Sequence, residues 1–254
     1  MKITKVEAIE LRAEEQKILN RAIGAQDALI LKIHTDEGIV GIGEVDSCPR
    51  AAKAVMEAPL SNSYVSGLGR ILIGMDPLDI RVINEKLYHS TFYCGRRGVF
   101  VHAIGGIDMA LWDIAGKYFD APVYQLLGGK CRDKVRVYLH VRGETTEELV
   151  AKCIAAKKEG YTAVGHLSPF VHKSPNMTHS KRIKDAVNRI KAVREAVGDD
   201  VDLCVEIHRR LSPAEAIVLA RKIVKYRPFF YEDPILPDNF DAMAYVARHI
   251  NIPI

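Results

Sequence analysis

The sequence predicts an α+β unit followed by a series of alternating βα units. Strand-like segments precede helical ones in the first half, and from about residue 134 the two kinds alternate. The 254 residues are 48% hydrophobic and 27% charged, the balance of an ordinary globular chain, which excludes a disordered, collagen-like or coiled-coil protein.

Residues 2–10 and 28–34 read as strands, residues 35–38 (TDEG) as a turn, and 39–45 as a return strand. Such a meander buries one face only and needs helices against it. Residues 79–90 and 99–118 supply them. In the second, Ile104, Ile107, Leu111 and Ile114 recur at helical spacing and mark a buried stripe. Gly105 and Gly106 fall inside this helical pattern and form no phosphate loop, since no P-loop or GxGxxG pattern surrounds them. Asp133-Lys134, after Gly128-Gly129, is the candidate boundary, giving units 1–130 and 131–254.

In the second unit, strands are expected at 135–141, 161–167, 201–207 and 228–233, and helices at 146–159, 179–197, 213–226 and 239–249. This spacing fits successive βα units of a parallel sheet or barrel. Ser212-Pro213-Ala214-Glu215 is a capping box with proline at the first helical position, and Gly160 caps the Lys-rich end of the helix before it. The last residues, 251–254, read as the opening of another strand.

Composition also narrows partners. The net charge of +4 is too mild to argue for nucleic acid or a membrane surface. No uninterrupted apolar run approaches the roughly 20 residues of a spanning helix, and the N-terminal residues read as a strand rather than a leader. Cys48, Cys94, Cys131, Cys153 and Cys204 are odd in number, scattered and without a CxxC pair, as expected of reduced thiols in a cytoplasmic protein.

In parallel βα architectures the carboxyl ends of the strands carry the chemistry. Glu206 and His208 close one expected strand, Glu232 and Asp233 the next, and the segment 165–168 (GHLS) a third. Two carboxylates at adjacent strand ends repel each other, and a hard cation such as Mg²⁺ resolves that repulsion. The alternative is that Arg209, Arg210 or Arg227 neutralises each. His208 shares a side with Glu206 if the strand continues, where it could move a proton, or it is a loop histidine. Asp233 precedes Pro234, and its alternative role is to fix the turn after the strand. Alternation turns His166 away from the rim, giving it a structural role. His102 lies in a helix, in packing or at the surface. The Arg96-Arg97 pair is a solvated turn or a contact for an anion or a neighbouring subunit.

The segments IGGIDMALWDIAGK (104–117), PVYQLLGGK (122–130), VEIHRRLSPAEA (205–216) and FFYEDP (229–234) resemble the enolase superfamily in its mandelate racemase-like branch, and the opening strand and TDEGIVGIGEV hairpin resemble its capping domain. The resemblance implies an α+β capping domain followed by a (β/α)8 barrel, incomplete here at about its first four βα units. It implies α-proton abstraction from a carboxylate substrate, with the enediolate stabilised on Mg²⁺. Glu206 then falls on the first metal ligand, usually an aspartate, and Glu232 on the second. His208 falls on the general acid that helps the β-hydroxyl leave in galactonate- and mannonate-type dehydratases. The Lys-x-Lys motif of the racemases is replaced by Gly165-His166-Leu167. The third carboxylate ligand and the general base are expected beyond Ile254. The function so implied is a Mg²⁺-dependent dehydratase of a sugar acid, acting as a homo-oligomer on a small carboxylate, without nucleic acid or membrane. Two alternatives stay open: a racemase or epimerase using histidine bases, and a truncated, inactive member serving binding or assembly. Capping loops near 15–27 and 46–65, with Arg21, Asp27 and Ser47, are expected to choose the ligand, joined by Arg209.

Overall fold

Strand β1 (Ile3–Leu11) pairs antiparallel with β2 (Ala28–Thr35), and β2 with β3 (Val40–Val45), so the expected meander forms a three-stranded sheet in sequence order. In this computed structural model the described residues are 1–12, 27–61, 66–170 and 177–254. Along β2 the buried side chains Leu29, Leu31 and Ile33 alternate with half-exposed ones, the period of a sheet covered on one face. Helices α1 (Pro49–Glu57), α2 (Leu68–Leu72), α3 (Ile80–Ser90), α4 (Val99–Tyr118) and the short α5 (Val123–Leu126) follow. Part of 46–65, expected as a loop, is thus the helix α1. Its buried Pro49, Ala52 and Met56 recur at helical spacing, and proline stands at its start.

Among the described residues α4 is long and apolar enough to cross a membrane by length and composition. Its stripe of Ala103, Gly106, Ile107, Ala110, Leu111 and Ile114 is instead buried against the sheet. The approach is close enough to require glycine in the strand: a Cβ on Gly43 would lie 1.9 Å from the Gly106 carbonyl oxygen. Asp113 Oδ2 accepts from the Ile42 amide at 2.8 Å, and Lys117 Nζ donates to the Val40 carbonyl at 2.7 Å, tying the helix to the free edge of β3.

The chain divides into two compact units, Met1–Asp133 and Lys134–Ile254. In the second, β4 (Leu139–His140), β5 (Ala163–Leu167), β6 (Asp202–Glu206) and β7 (Pro228–Glu232) form a parallel sheet in sequence order. Helices α6 (Thr146–Lys158), α7 (His179–Val197), α8 (Pro213–Ile223) and α9 (Phe240–Arg248) alternate with them. Ser212 and Glu215 make the reciprocal capping box. Gly160 has φ +94°, the left-handed geometry expected just past a helix end. The core is mainly aliphatic, with Leu203, Val205, Ile190 and Leu219 fully buried beside the aromatic Tyr231.

The first strand departs from expectation. Residues 135–141 alternate like a strand, yet only Leu139 and His140 are assigned to β4, and Val135 and Val137 stay exposed. β4 is the sheet edge, with a neighbour on one side only, so little of its backbone is paired. At the other edge the Tyr231 amide donates to the Pro253 carbonyl at 2.7 Å, so the terminal segment lies beside β7.

Candidate active site

Glu206 is the last residue of β6 and stands in register with Glu232, the last residue of β7. Adjacent strands lie about 4.8 Å apart, so the two carboxylates leave neighbouring points on one rim. Glu206 is 2% exposed, a carboxylate almost wholly withdrawn from water. Burial pushes the Glu232 carboxyl above its ordinary range, and the negative charges of Glu206 and Asp233 add to the shift. The arginines that might have neutralised this pair are engaged elsewhere. Arg209 Nη2 is 2.6 Å from Asp233 Oδ2, Arg210 Nη1 donates to Ser168 Oγ and the Phe170 carbonyl, and Arg227 pairs with Asp199.

β6 ends at Glu206, but the chain keeps running beside β7. The amides of Ile207, Arg209 and Leu211 donate to the carbonyls of Glu232, Asp233 and Pro234. His208, Arg209 and Asp233 adopt positive φ there, at +57°, +62° and +45°. This geometry breaks strand alternation, and the His208 ring meets Glu206 with Nδ1 3.0 Å from Oε1. A carboxylate only accepts, so Nδ1 donates, which leaves Nε2 as the atom able to exchange a proton with a ligand.

His166 is found where alternation did not place it. With φ +57° it leaves the strand geometry of β5, and its Nδ1 lies 3.4 Å from Glu206 Oε2. Its other nitrogen, Nε2, is 2.9 Å from Arg142 Nη2. Desolvation lowers the His166 pKa to about 4, helped by the cations of Arg142 and neighbouring histidines, so the ring is neutral near pH 7. His140, at the end of β4, stacks on His166 with ring centroids 5.0 Å apart, and Tyr138 stacks on His140 at 5.2 Å. Four consecutive strand ends therefore bring His140, His166, Glu206 with His208, and Glu232 to one rim. The sequence reading missed His140 and Arg142. Their signal was position: His140 falls at the end of the expected first strand of the unit and Arg142 directly after it.

Glu206 Oε2 makes no hydrogen bond, although it is buried. An orphaned carboxylate oxygen beside a second, charge-strained carboxylate is a donor set that suits a hard divalent cation. Among the described residues no three His, Cys, Asp or Glu side chains are disposed to hold a metal by themselves, so Glu206 and Glu232 would be a partial ligand set. Of the residues expected to select a ligand, Arg21 lies outside the described residues. Asp27 pairs with Arg12 at 3.7 Å, and Ser47 is half-buried after β3 with its amide donating to the Val45 carbonyl. All of the cysteines are free thiols, Cys153 and Cys204 buried and the others exposed.

The fold and this rim define a class. Residues 5–128 match the mandelate racemase/muconate lactonizing enzyme N-terminal domain, and residues 148–254 the enolase C-terminal domain-like family. The chain belongs to the enolase superfamily, in the mandelate racemase/muconate lactonizing enzyme branch. It is 37% identical over 229 residues to the D-galactonate dehydratase of Klebsiella pneumoniae (strain 342), covering 89% of this chain and 56% of that one. It is 34% identical over 228 residues to the D-galactonate dehydratase of Cronobacter sakazakii, with the same coverage. The crystal structure of an enolase superfamily member from Salmonella Typhimurium superposes with a TM-score of 0.82 at 32% identity, over 99% of this chain and 66% of that one. The chain thus spans about half the length of the curated relatives it matches.

Proposed function

We propose that this chain carries the first part of a sugar-acid dehydratase site, in which Glu206 and Glu232 hold Mg²⁺ and His208 is the general acid. The observation that supports it best is the Glu206–His208 hydrogen bond, 3.0 Å long, beside a buried carboxylate oxygen with no partner. The relatives named D-galactonate dehydratase point to an aldonate as the substrate class. The four-stranded parallel sheet is read as part of a (β/α)8 barrel. By the same resemblance we propose a cytoplasmic homo-oligomer.

When bound, Mg²⁺ would supply Lewis-acid stabilisation of the negative charge that develops on the substrate carboxylate. The chain's own residues do the rest. Glu206 fixes the His208 ring through Nδ1, so that Nε2 presents a proton to the departing β-hydroxyl. With the α-proton taken by the general base and the β-hydroxyl leaving as water, the resulting enol tautomerises to a 2-keto acid. The buried Leu167, Val205 and Ile207 beside the rim keep water from one side of it. Arg209 is held by Asp233, so its proposed contact with the substrate requires that pair to open. Arg21 and Ser47 are assigned to substrate selection by the resemblance alone. A base of the Lys-x-Lys kind is absent from 165–167, which disfavours the racemase reading.

The test is a panel of aldonates incubated with the protein and Mg²⁺ and read by 2-keto acid formation. The expected result is 2-keto acid from at least one aldonate. Deuterium exchange at the α-carbon with the hydroxyl retained would select a racemase or epimerase instead. Turnover of an N-acyl amino acid with no aldonate consumed would overturn the reading.

A further inference from the structure

An imidazole stands beside each of the two Glu206 oxygens: His208, used by the proposed chemistry, is hydrogen-bonded to Oε1, whereas a second ring lies 3.4 Å from Oε2 without making a hydrogen bond. That second ring is His166, half-buried at the end of a line of contacts that begins away from the rim. Arg189, on α7 and 4% exposed, donates to the Gly143 carbonyl and lies 3.4 Å from Thr146 Oγ1, fixing the backbone that follows Arg142. Arg142 Nη2 then meets His166 Nε2 at 2.9 Å. A guanidinium has donors only, so Nε2 must accept. An accepting Nε2 carries no proton, so the ring's proton is on Nδ1, the atom 3.4 Å from Glu206 Oε2. Gly165 lets this arrangement form: a Cβ there would lie 1.9 Å from the Tyr138 ring, which packs over the strand beside His166.

We infer that Arg142 and His166 form a positioning dyad: Arg142 sets the His166 tautomer, and His166 aims its Nδ1–H at Glu206 Oε2, holding that carboxylate for a divalent cation. The inference rests on the proposed metal-binding role of Glu206. Oε2 makes no hydrogen bond in this structure, and its two lone pairs leave room for both partners in the cation-bound state: one to accept from His166 and the other to face the ion. Outer partners of this kind orient a ligand, and their removal typically lowers metal affinity about 10- to 100-fold. His166 is therefore a positioning residue, distinct from His208.

Two readouts test it. The first is the tautomer, from long-range ¹H–¹⁵N correlation spectra of the histidine-labelled protein. His166 is expected as the Nδ1–H form in the wild type and as a mixture or the Nε2–H form in Arg142→Met. An Nε2–H ring in the wild type overturns the dyad. The second is Mn²⁺ affinity, measured by electron paramagnetic resonance as displacement of free-ion signal. His166→Ala is expected to weaken binding about 10- to 100-fold. His166→Asn retains an N–H near the Nδ1 position and tolerates positive φ, so it is expected to stay close to wild type. Equal weakening by both substitutions, or by neither, contradicts the inference. A wild type that binds no Mn²⁺ would defeat the metal-site reading, and the tautomer spectra would still decide the dyad.

Discussion

At the residue scale the rim is organised by what each carboxylate oxygen meets. Glu206 Oε1 accepts from His208, and Oε2 stands unsatisfied in a buried place. If His208 is the general acid, His208→Asn should leave Mg²⁺ binding in place and slow 2-keto acid formation by about 10²- to 10⁴-fold. Calorimetry and a keto-acid assay on the same preparation separate the two effects. Loss of metal binding together with activity would move His208 from proton transfer to ligand support. The shared rim position of Glu206, His208 and Glu232 was legible in the sequence, because residue type and strand-end position marked it. His166 was misread, because a histidine at φ +57° obeys no strand period, and nothing in the residues 165–168 announces that turn. Arg142 had no signal beyond its position, since its partner lies on another strand.

At the element scale, caps and close approaches give the sharpest expectations. Burial tends to raise the Glu215 carboxyl. The amide and hydroxyl of Ser212 and the charge of Arg182 outweigh that effect and hold it below the ordinary carboxylate range. A carboxyl with a depressed folded value stabilises fully above its unfolded value, near 4.5, and loses that contribution as pH falls through the lower folded value. Glu215→Ala should therefore cost about 1 kcal/mol at neutral pH, with a difference from wild type that shrinks in acid, as read by urea midpoints. A difference independent of pH would show that the charge of the carboxylate is not what the cap uses. The two glycines of α4 and its facing strand make a matched pair. Gly43→Ala drives a Cβ into the Gly106 carbonyl and should cost about 1–3 kcal/mol or more, seen as a fall in Tm. Gly105→Ala meets nothing within 4 Å and should raise stability by up to about 1 kcal/mol. Opposite outcomes would show the strand–helix contact to be looser than drawn. Helix α4 and the Ser212 box were readable from spacing and capping residues. The short extent of β4 was not, because alternation reports a side-chain pattern and pairing needs a neighbour on the free edge.

At the scale of the whole molecule, two units of different construction follow one another. One is an antiparallel meander covered by helices, and the other a parallel sheet threaded by helices. The order of strands and helices was legible because period-two and helical patterns change over near the unit boundary. The placement of terminal residues beside β7 follows the same logic, with the Tyr231 amide already bonded to Pro253. Parallel topology sends the end of each strand to one rim, so residues far apart in sequence, from His140 to Glu232, become neighbours. The most direct test of what that rim does is Mg²⁺ titration by calorimetry of the wild type, Glu206→Gln and Glu232→Gln. One Mg²⁺ per chain, lost or strongly weakened in each variant while the far-ultraviolet circular dichroism is unchanged, is the expected result. Binding indifferent to both substitutions, or no binding by the wild type, would contradict a cation shared by these two carboxylates.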